Sequence, residues 1–339
     1  MNTVLENDEN TPSNGDNGST IISRLPMNLS TLFPECRQQQ ERVWQGSFTF
    51  VHACDPQLGL IEKHILKKDN PGWKVDLTHL KCAIKMINEI QPKPKFLVVG
   101  GDMVDTPPYV ETLGIHSEQY KDLKDCFDTM LDPDIKAVFV CGNHDVGDMP
   151  TFTTMDVYRN EFGPEYFTFW HGGVKFTVLN SQYFKFPELL EMEFFQQMEF
   201  LQNTRDDGAL HHVVFQHIPL CIESEDEIDI SFLNINQPMR HEVLNAMRTT
   251  GVKHIFYGHT HRNGISQIGP IEHVMTAAVG GTFDDTKSGF RVVYVSEKEI
   301  THEYIPLEVQ FKEVNITADE DIQTTDESLL KKLSELERK

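Results

Sequence analysis

Apolar residues in this chain come in short compact runs separated by amphipathic stretches. Residues 48–53, 96–99, 137–140, 213–215 and 254–257 have the length of buried strands. Between the first two runs, Leu77, Leu80, Ala83, Ile84, Ile87 and Ile90 recur at the spacing of one helical face, with Asp76 positioned as an N-cap. Helix-like segments lie between most of the other runs, and this alternation predicts an α/β fold with helices on the faces of a central sheet. Two hairpins are also expected. One joins 166–170 to 174–179 through the Gly172-Gly173 turn, and the other joins 290–295 to 300–305.

The ends read differently. Residues 1–44 are rich in Asn, Asp, Glu, Ser, Thr and Gly, with too few apolar anchors to order themselves, and are expected to be a disordered polar tail. The folded domain is assigned to 45–308 and an acidic linker to the start of 309–339. That last segment should end in a short amphipathic helix carrying Leu329, Leu330, Leu333 and Leu336 behind a Thr324-x-x-Glu327 capping box. The acidic stretches 223–229 and 319–327 read as solvated surface.

At 339 residues and 39% hydrophobic content, the chain can bury the core of one large domain. No run is long enough to span a membrane and no export address is visible, so a cytoplasmic, soluble protein is expected. The six cysteines (Cys36, Cys54, Cys82, Cys126, Cys141, Cys221) form no C-x-x-C pair, which argues against a disulfide framework or a thiolate zinc site. A net charge of −22 repels nucleic-acid backbones and anionic membranes, so neither is expected as a partner. A monomer is expected.

Candidate chemistry sits in five polar clusters, each just after a strand-like run, where binding loops gather at the carboxyl ends of strands. They are Asp55-Pro56-Gln57; Gly101-Asp102-Met103-Val104-Asp105; Gly142-Asn143-His144-Asp145; His217; and Gly258-His259-Thr260-His261. Carboxylates suit a hard cation, and the added imidazoles and amide make a mixed N/O set suited to Zn, Fe or Mn. Each cluster alone is a common surface pattern. The ordered series is not.

The series resembles the motif set of the calcineurin-like metallophosphoesterases: Asp-x-His, Gly-Asp-x-x-Asp, Gly-Asn-His-Asp/Glu, His, Gly-His-x-His, over about residues 46–306. Ala53-Cys54-Asp55-Pro56-Gln57, Trp170-His171-Gly172-Gly173-Val174 and Phe215-Gln216-His217-Ile218-Pro219-Leu220 point to a subgroup described as serine/threonine protein phosphatases. The resemblance implies a four-layer sandwich of two β-sheets flanked by helices, with a dimetal site at the sheet edge. It implies that Asp55 and His261 hold one metal, that Asn143, His217 and His259 hold the other, and that Asp102 bridges. A carboxylate can be shared by two close cations, which an imidazole cannot.

The implied reaction is phosphomonoester hydrolysis by water activated between the metals, on a phosphoprotein substrate. His144 would face the phosphate as proton donor, and Asp105 would hold its other nitrogen. Gln57 departs from the family's usual His and is read as a weaker member of the first metal site. The alternatives are a phosphodiesterase or nucleotide hydrolase using the same constellation, and a non-catalytic metal-binding scaffold with a weakened first site. Arg262 is a candidate phosphate contact, and Tyr183 and Phe184 are candidate cleft residues. His211, His212, His254 and His273 flank strands and are read as structural.

Overall fold

The computed structural model describes residues 39–205, 208–230 and 232–307. Its first sheet holds β1 (Phe48–Ala53), β2 (Phe96–Val99), β3 (Lys136–Phe139), β10 (Gly289–Val295) and β11 (Ile300–Pro306), in the order β11-β10-β1-β2-β3. The second holds β4 (Phe167–His171), β5 (Val174–Val178), β6 (His211–Phe215), β7 (His254–Tyr257), β8 (Gly264–Ile268) and β9 (Ile271–Met275), in the order β4-β5-β6-β7-β9-β8. In the first sheet β1, β2 and β3 run parallel, with β10 antiparallel to β1 and to β11; in the second β5, β6, β7 and β9 run parallel and the edge strands β4 and β8 antiparallel.

The alternation of side chains along each strand explains the layering. Phe48 and Phe50 of β1, Phe96 and Val98 of β2, Phe176 of β5, Phe215 of β6 and Phe256 of β7 meet between the sheets in one apolar cluster. Phe50 stacks on Phe96 with ring centroids 4.9 Å apart and sets its edge against Phe176, Phe215 and Phe256. The opposite faces, including Val51, Ala53, Leu97, Val99, Val214 and Ile255, pack under helices. These are α1 (Lys74–Glu89) and α2 (Leu113–Met130) in the first half of the chain and α6 (Glu191–Gln202) and α7 (Met239–Thr249) in the second. Among the described residues the other α-helices are α3 (Asn143–Val146), α4 (Phe152–Phe162) and α5 (Ser181–Lys185). Strands covered on both faces read as continuous apolar runs, which is why β1, β2 and β7 are visible without their partners.

Two expectations are corrected, and one element is added. Asp76 is not the N-cap of α1, which begins after Trp73; its carboxylate is buried and accepts the Ile61 N–H at 3.0 Å, tying down a π-helical turn at Ile61–Ile65. The acidic stretch 223–229 is not simply solvated. Glu227 accepts the N–H groups of Ile222, Glu223 and Ser224, and Asp229 pairs with the fully buried Arg240 at 2.7 Å. The β8–β9 hairpin was not anticipated. The expected N-terminal tail up to residue 38, Cys36, and the expected C-terminal linker and helix from 308 onward lie outside the described residues. Among the described residues no helix is long and apolar enough to cross a membrane.

Candidate metal centre

All five clusters follow the carboxyl ends of β1, β2, β3, β6 and β7, and the two sheets bring them to one edge of the sandwich. The loops turn tightly there. Asp55, Gln57, Asp102, His259 and His261 have φ between 36° and 65°, and Lys67 is the one other described non-glycine residue with positive φ. Such conformations are disfavoured by about 1–3 kcal/mol each and persist where surrounding bonds over-determine them. Asp55 N–H donates to Gly101 O at 3.1 Å, Gln57 N–H to Asp102 O at 2.9 Å, and His259 N–H to the Asp55 carboxylate at 3.1 Å. A Cβ at Gly142 would sit 2.2 Å from Asp102 Oδ1, so only glycine lets these loops approach.

Asp102 is the centre of the cluster. With His217 and His259 it forms one group of donors, and with Asp55 and His261 a second, each group with ligand atoms within 4.8 Å of one another. His217 Nε2 lies 3.2 Å from Asp102 Oδ2, 3.2 Å from Asn143 Oδ1 and 3.3 Å from His259 Nδ1. On the other side, His261 Nε2 is 3.6 Å from Asp55 Oδ1. Each ring is oriented by its remaining nitrogen: His217 Nδ1 on Gly100 O at 2.8 Å, His261 Nδ1 on Gly281 O, and His259 Nε2 on Phe232 O. Main-chain carbonyls on the outer nitrogens are the usual way a protein aims imidazoles at a metal.

Two amides complete the cluster in the same fashion. Asn143 Nδ2 donates to Asp148 Oδ1 at 2.8 Å, which leaves its oxygen facing His217. Gln57 Nε2 donates to Asp105 Oδ1 at 3.3 Å, while Gln57 Oε1 is buried and has no hydrogen-bond partner. A buried carbonyl oxygen without a donor is destabilising by about 1–3 kcal/mol. A cation answers that need, so the donor set fits two metal ions with Gln57 offering oxygen.

The electrostatics agree with a site built for positive charge. Burial pushes Asp55 up to about 6 against the pull of His261 and His217. Burial also opposes ionisation of Asp102, but the neighbouring charges of His217 and His144 outweigh it and hold that carboxyl well below the usual range. Burial depresses His217, yet Asp102 and Asp55 raise it to about 10, whereas burial and the His217 charge take His259 down to about 3.

His144 lies outside both donor groups and lines the cavity with its side chain 31% exposed, enough to meet a bound ester. Its main-chain N–H donates to Asp102 Oδ1 at 2.8 Å, and its ring Nδ1 donates to the main-chain oxygen of Asp105 at 2.7 Å. Asp105 thus holds the second nitrogen through its main chain, while its carboxylate stands 3.8 Å away. That carboxylate instead accepts Lys63 Nζ at 2.9 Å, with His64 Nε2 at 3.4 Å, besides Gln57. The Asp105 main chain fixes the tautomer of His144 and leaves Nε2 free toward the cavity.

Residues the motif reading left without a role also build the site. Asp145 accepts the N–H groups of Asp102, Met103 and Gly142 at 2.8–2.9 Å, locking two metal-site loops together. Asp148, Lys63 and Phe232 hold the donors as described above, and only their proximity to motifs could have flagged them. The adjoining cavity is about 1080 Å³. Tyr183 and Phe184 do not line it. Both are buried, and Tyr183 donates to Glu165 at 2.9 Å; Gln182, Lys185 and Phe186 line the cavity instead. Arg262 stands at the mouth, 3.3 Å from Asp284. His211, His212, His254 and His273 are engaged by Ser296 O, Thr177 Oγ1, Glu272 and Tyr257 respectively, away from the cluster.

Comparison with known proteins agrees. The sequence profile of the family "Calcineurin-like phosphoesterase" matches residues 51–263. The chain is 38% identical over 278 residues to the serine/threonine-protein phosphatase CPPED1 of Danio rerio, covering 80% of this chain and 88% of the relative. It is 36% identical over 277 residues to the human protein of the same name, covering 80% and 87%. Among solved structures, a dimetal phosphatase from Danio rerio shares the fold with a TM-score of 0.55 at 14% identity, over 77% of this chain and 96% of that one. A purple acid phosphatase from yellow lupin superimposes with a TM-score of 0.51 at 13% identity, over 77% and 51%. Motifs, fold and relatives converge: the chain belongs to the calcineurin-like phosphoesterase family.

Proposed function

We propose that this phosphoesterase hydrolyses phosphoserine and phosphothreonine monoesters in proteins. Asp55, Gln57 and His261 would hold one divalent metal, Asn143, His217 and His259 the other, and Asp102 both. The mixed nitrogen and oxygen donors suit Zn, Fe or Mn. Bound metals supply Lewis-acid polarisation of the phosphoryl group and charge neutralisation.

The chain's own residues do the rest. The Asp105 carbonyl and the Asp102 carboxylate fix His144 at the ester; in its imidazolium form, which the Asp102 and Asp105 charges favour against burial, Nε2 carries the proton given to the departing serine or threonine oxygen. The carbonyls of Gly100, Gly281 and Phe232 keep the three ligand imidazoles aimed inward. The observation carrying the reading is that Asp102 belongs to both donor groups.

The test is a phosphopeptide assay on chelator-stripped protein with Mn, Mg, Zn and Fe added back singly. Activity should vanish on stripping and return with at least one of Mn, Zn or Fe. Undiminished activity in the stripped protein would sink the proposal.

A further inference from the structure

One wall of the catalytic cavity carries no chemistry. Ile222, Phe232, Leu233, Ile265, Met275 and Phe283 line the space that Asp102, Asn143 and His144 also line. Three of the six are large apolar side chains left open to solvent: Phe232 is 68%, Ile265 59% and Phe283 57% exposed. Large apolar groups grouped at the edge of a catalytic site mark a surface meant to be covered.

The wall is preformed. The Phe283 ring lies against the metal-site imidazole of His261 with centroids 4.9 Å apart, and the Phe232 carbonyl holds His259, so two phenylalanines flank the metal centre. The loop bearing Phe232 is tied down by Glu227, by the Asp229–Arg240 pair and by Lys185, which donates to Asn236 Oδ1 at 3.0 Å. Ile265 projects from the edge strand β8, opposite Val274 of β9.

The charges narrow the occupant. The two long cations among the described lining residues are committed, Lys185 to Asn234 O and Asn236, Arg262 to Asp284. A second phosphate would therefore meet only Arg262, in competition with Asp284. Glu223 and Asp148 also line the cavity of a chain with net charge −22, which repels acidic sequences. At about 1080 Å³ the space far exceeds a phosphate and accommodates neighbouring residues of a peptide.

We propose that this wall is a specificity subsite for an apolar side chain adjacent to the phosphorylated serine or threonine. The proposal rests on the phosphoprotein reading above. The test uses the metal-loaded full chain and three phosphoserine peptides differing only in one neighbour, Leu, Ala or Asp, with free phosphoserine and adenosine monophosphate alongside. The Leu peptide should exceed the Ala peptide by about tenfold or more in kcat/KM, carried mainly by KM, with the Asp peptide poorest. In Ile265→Asn, which removes the apolar surface without adding charge, the preference should collapse, while hydrolysis of free phosphoserine and the melting temperature stay unchanged; Ile265→Leu should retain it.

Equal rates on the Leu and Ala peptides, or a preference that survives Ile265→Asn, would overturn the subsite and leave the phosphoprotein reading standing. Hydrolysis of adenosine monophosphate with no turnover of any phosphopeptide would overturn both, and assign the wall to a nucleobase.

Discussion

The two halves of the proposed metal centre share Asp102 and differ in nearly everything else. Around Asp55 the donors are carboxylate and amide oxygens with the single imidazole of His261; around His217 there are two imidazoles and the Asn143 amide. An oxygen-rich set favours harder ions such as Mn or Mg, and an imidazole-rich set favours Zn or Fe, so the halves need not select the same metal. Yet the neutral amide in each half is handled alike, its NH₂ pinned to a carboxylate, Asp105 for Gln57 and Asp148 for Asn143. A freely rotating amide presents oxygen or nitrogen equally well. A carboxylate behind it removes the nitrogen from the contest.

The strongest way to break the comparison is to remove what the halves share. Asp102→Ala should abolish phosphoester hydrolysis and empty both halves, read as bound metal per chain by elemental analysis; retention of one full equivalent would show that Asp102 does not bridge. Next in size is a residue belonging to neither half. His144→Ala should leave metal content at the wild-type level and lower turnover roughly 10²–10⁴-fold. Unchanged turnover would remove His144 from the mechanism.

How far these roles could be read from the chain alone depends on which atom of each residue acts. The strands β1, β2 and β7 and the convergence of five loops follow from apolar runs with polar clusters behind them, because burial on both faces writes itself into local composition. Which oxygen of Asp105 holds His144 does not. That is decided by neighbours from other loops, Lys63, His64 and Gln57, which draw the carboxylate away and leave the carbonyl to the imidazole. Asp76 illustrates the same limit, since its position near a helix start resembles a cap until the π-helical turn at Ile61–Ile65 packs over it. The β8–β9 hairpin leaves little trace in the pattern because Ile265 is exposed and Ser266 and Gln267 are polar, giving an edge strand no apolar run. Its Gly269-Pro270 turn was the available signal.

A gentler perturbation asks whether the carboxylate behind an amide matters in only its own half. Asp148→Ala frees the NH₂ of Asn143 and should weaken metal binding there roughly 10–100-fold, as loss of such outer partners does, while the Asp55 half keeps its affinity. Isothermal titration of stripped protein, run metal by metal, separates the two. Equal weakening of both halves would mean that Asp148 acts through the fold rather than through Asn143.

The smallest expected effect erases the difference between the halves. Gln57→His replaces an amide oxygen with an imidazole nitrogen, bringing the Asp55 half closer to the composition of its neighbour, and zinc affinity in that half should rise relative to manganese. The Gln57 bond to Asp105 at 3.3 Å disappears with the amide, but Lys63 at 2.9 Å still holds the carboxylate, and His144 keeps its separate bond to the Asp105 carbonyl. Turnover should therefore change by less than the roughly 10–100-fold expected for metal affinity in Asp148→Ala, since the proton donor is untouched. Competition between zinc and manganese for the stripped variant is the decisive measurement. An unaltered zinc-to-manganese ratio would mean that Gln57 does not reach the metal, and that its buried oxygen has some other partner.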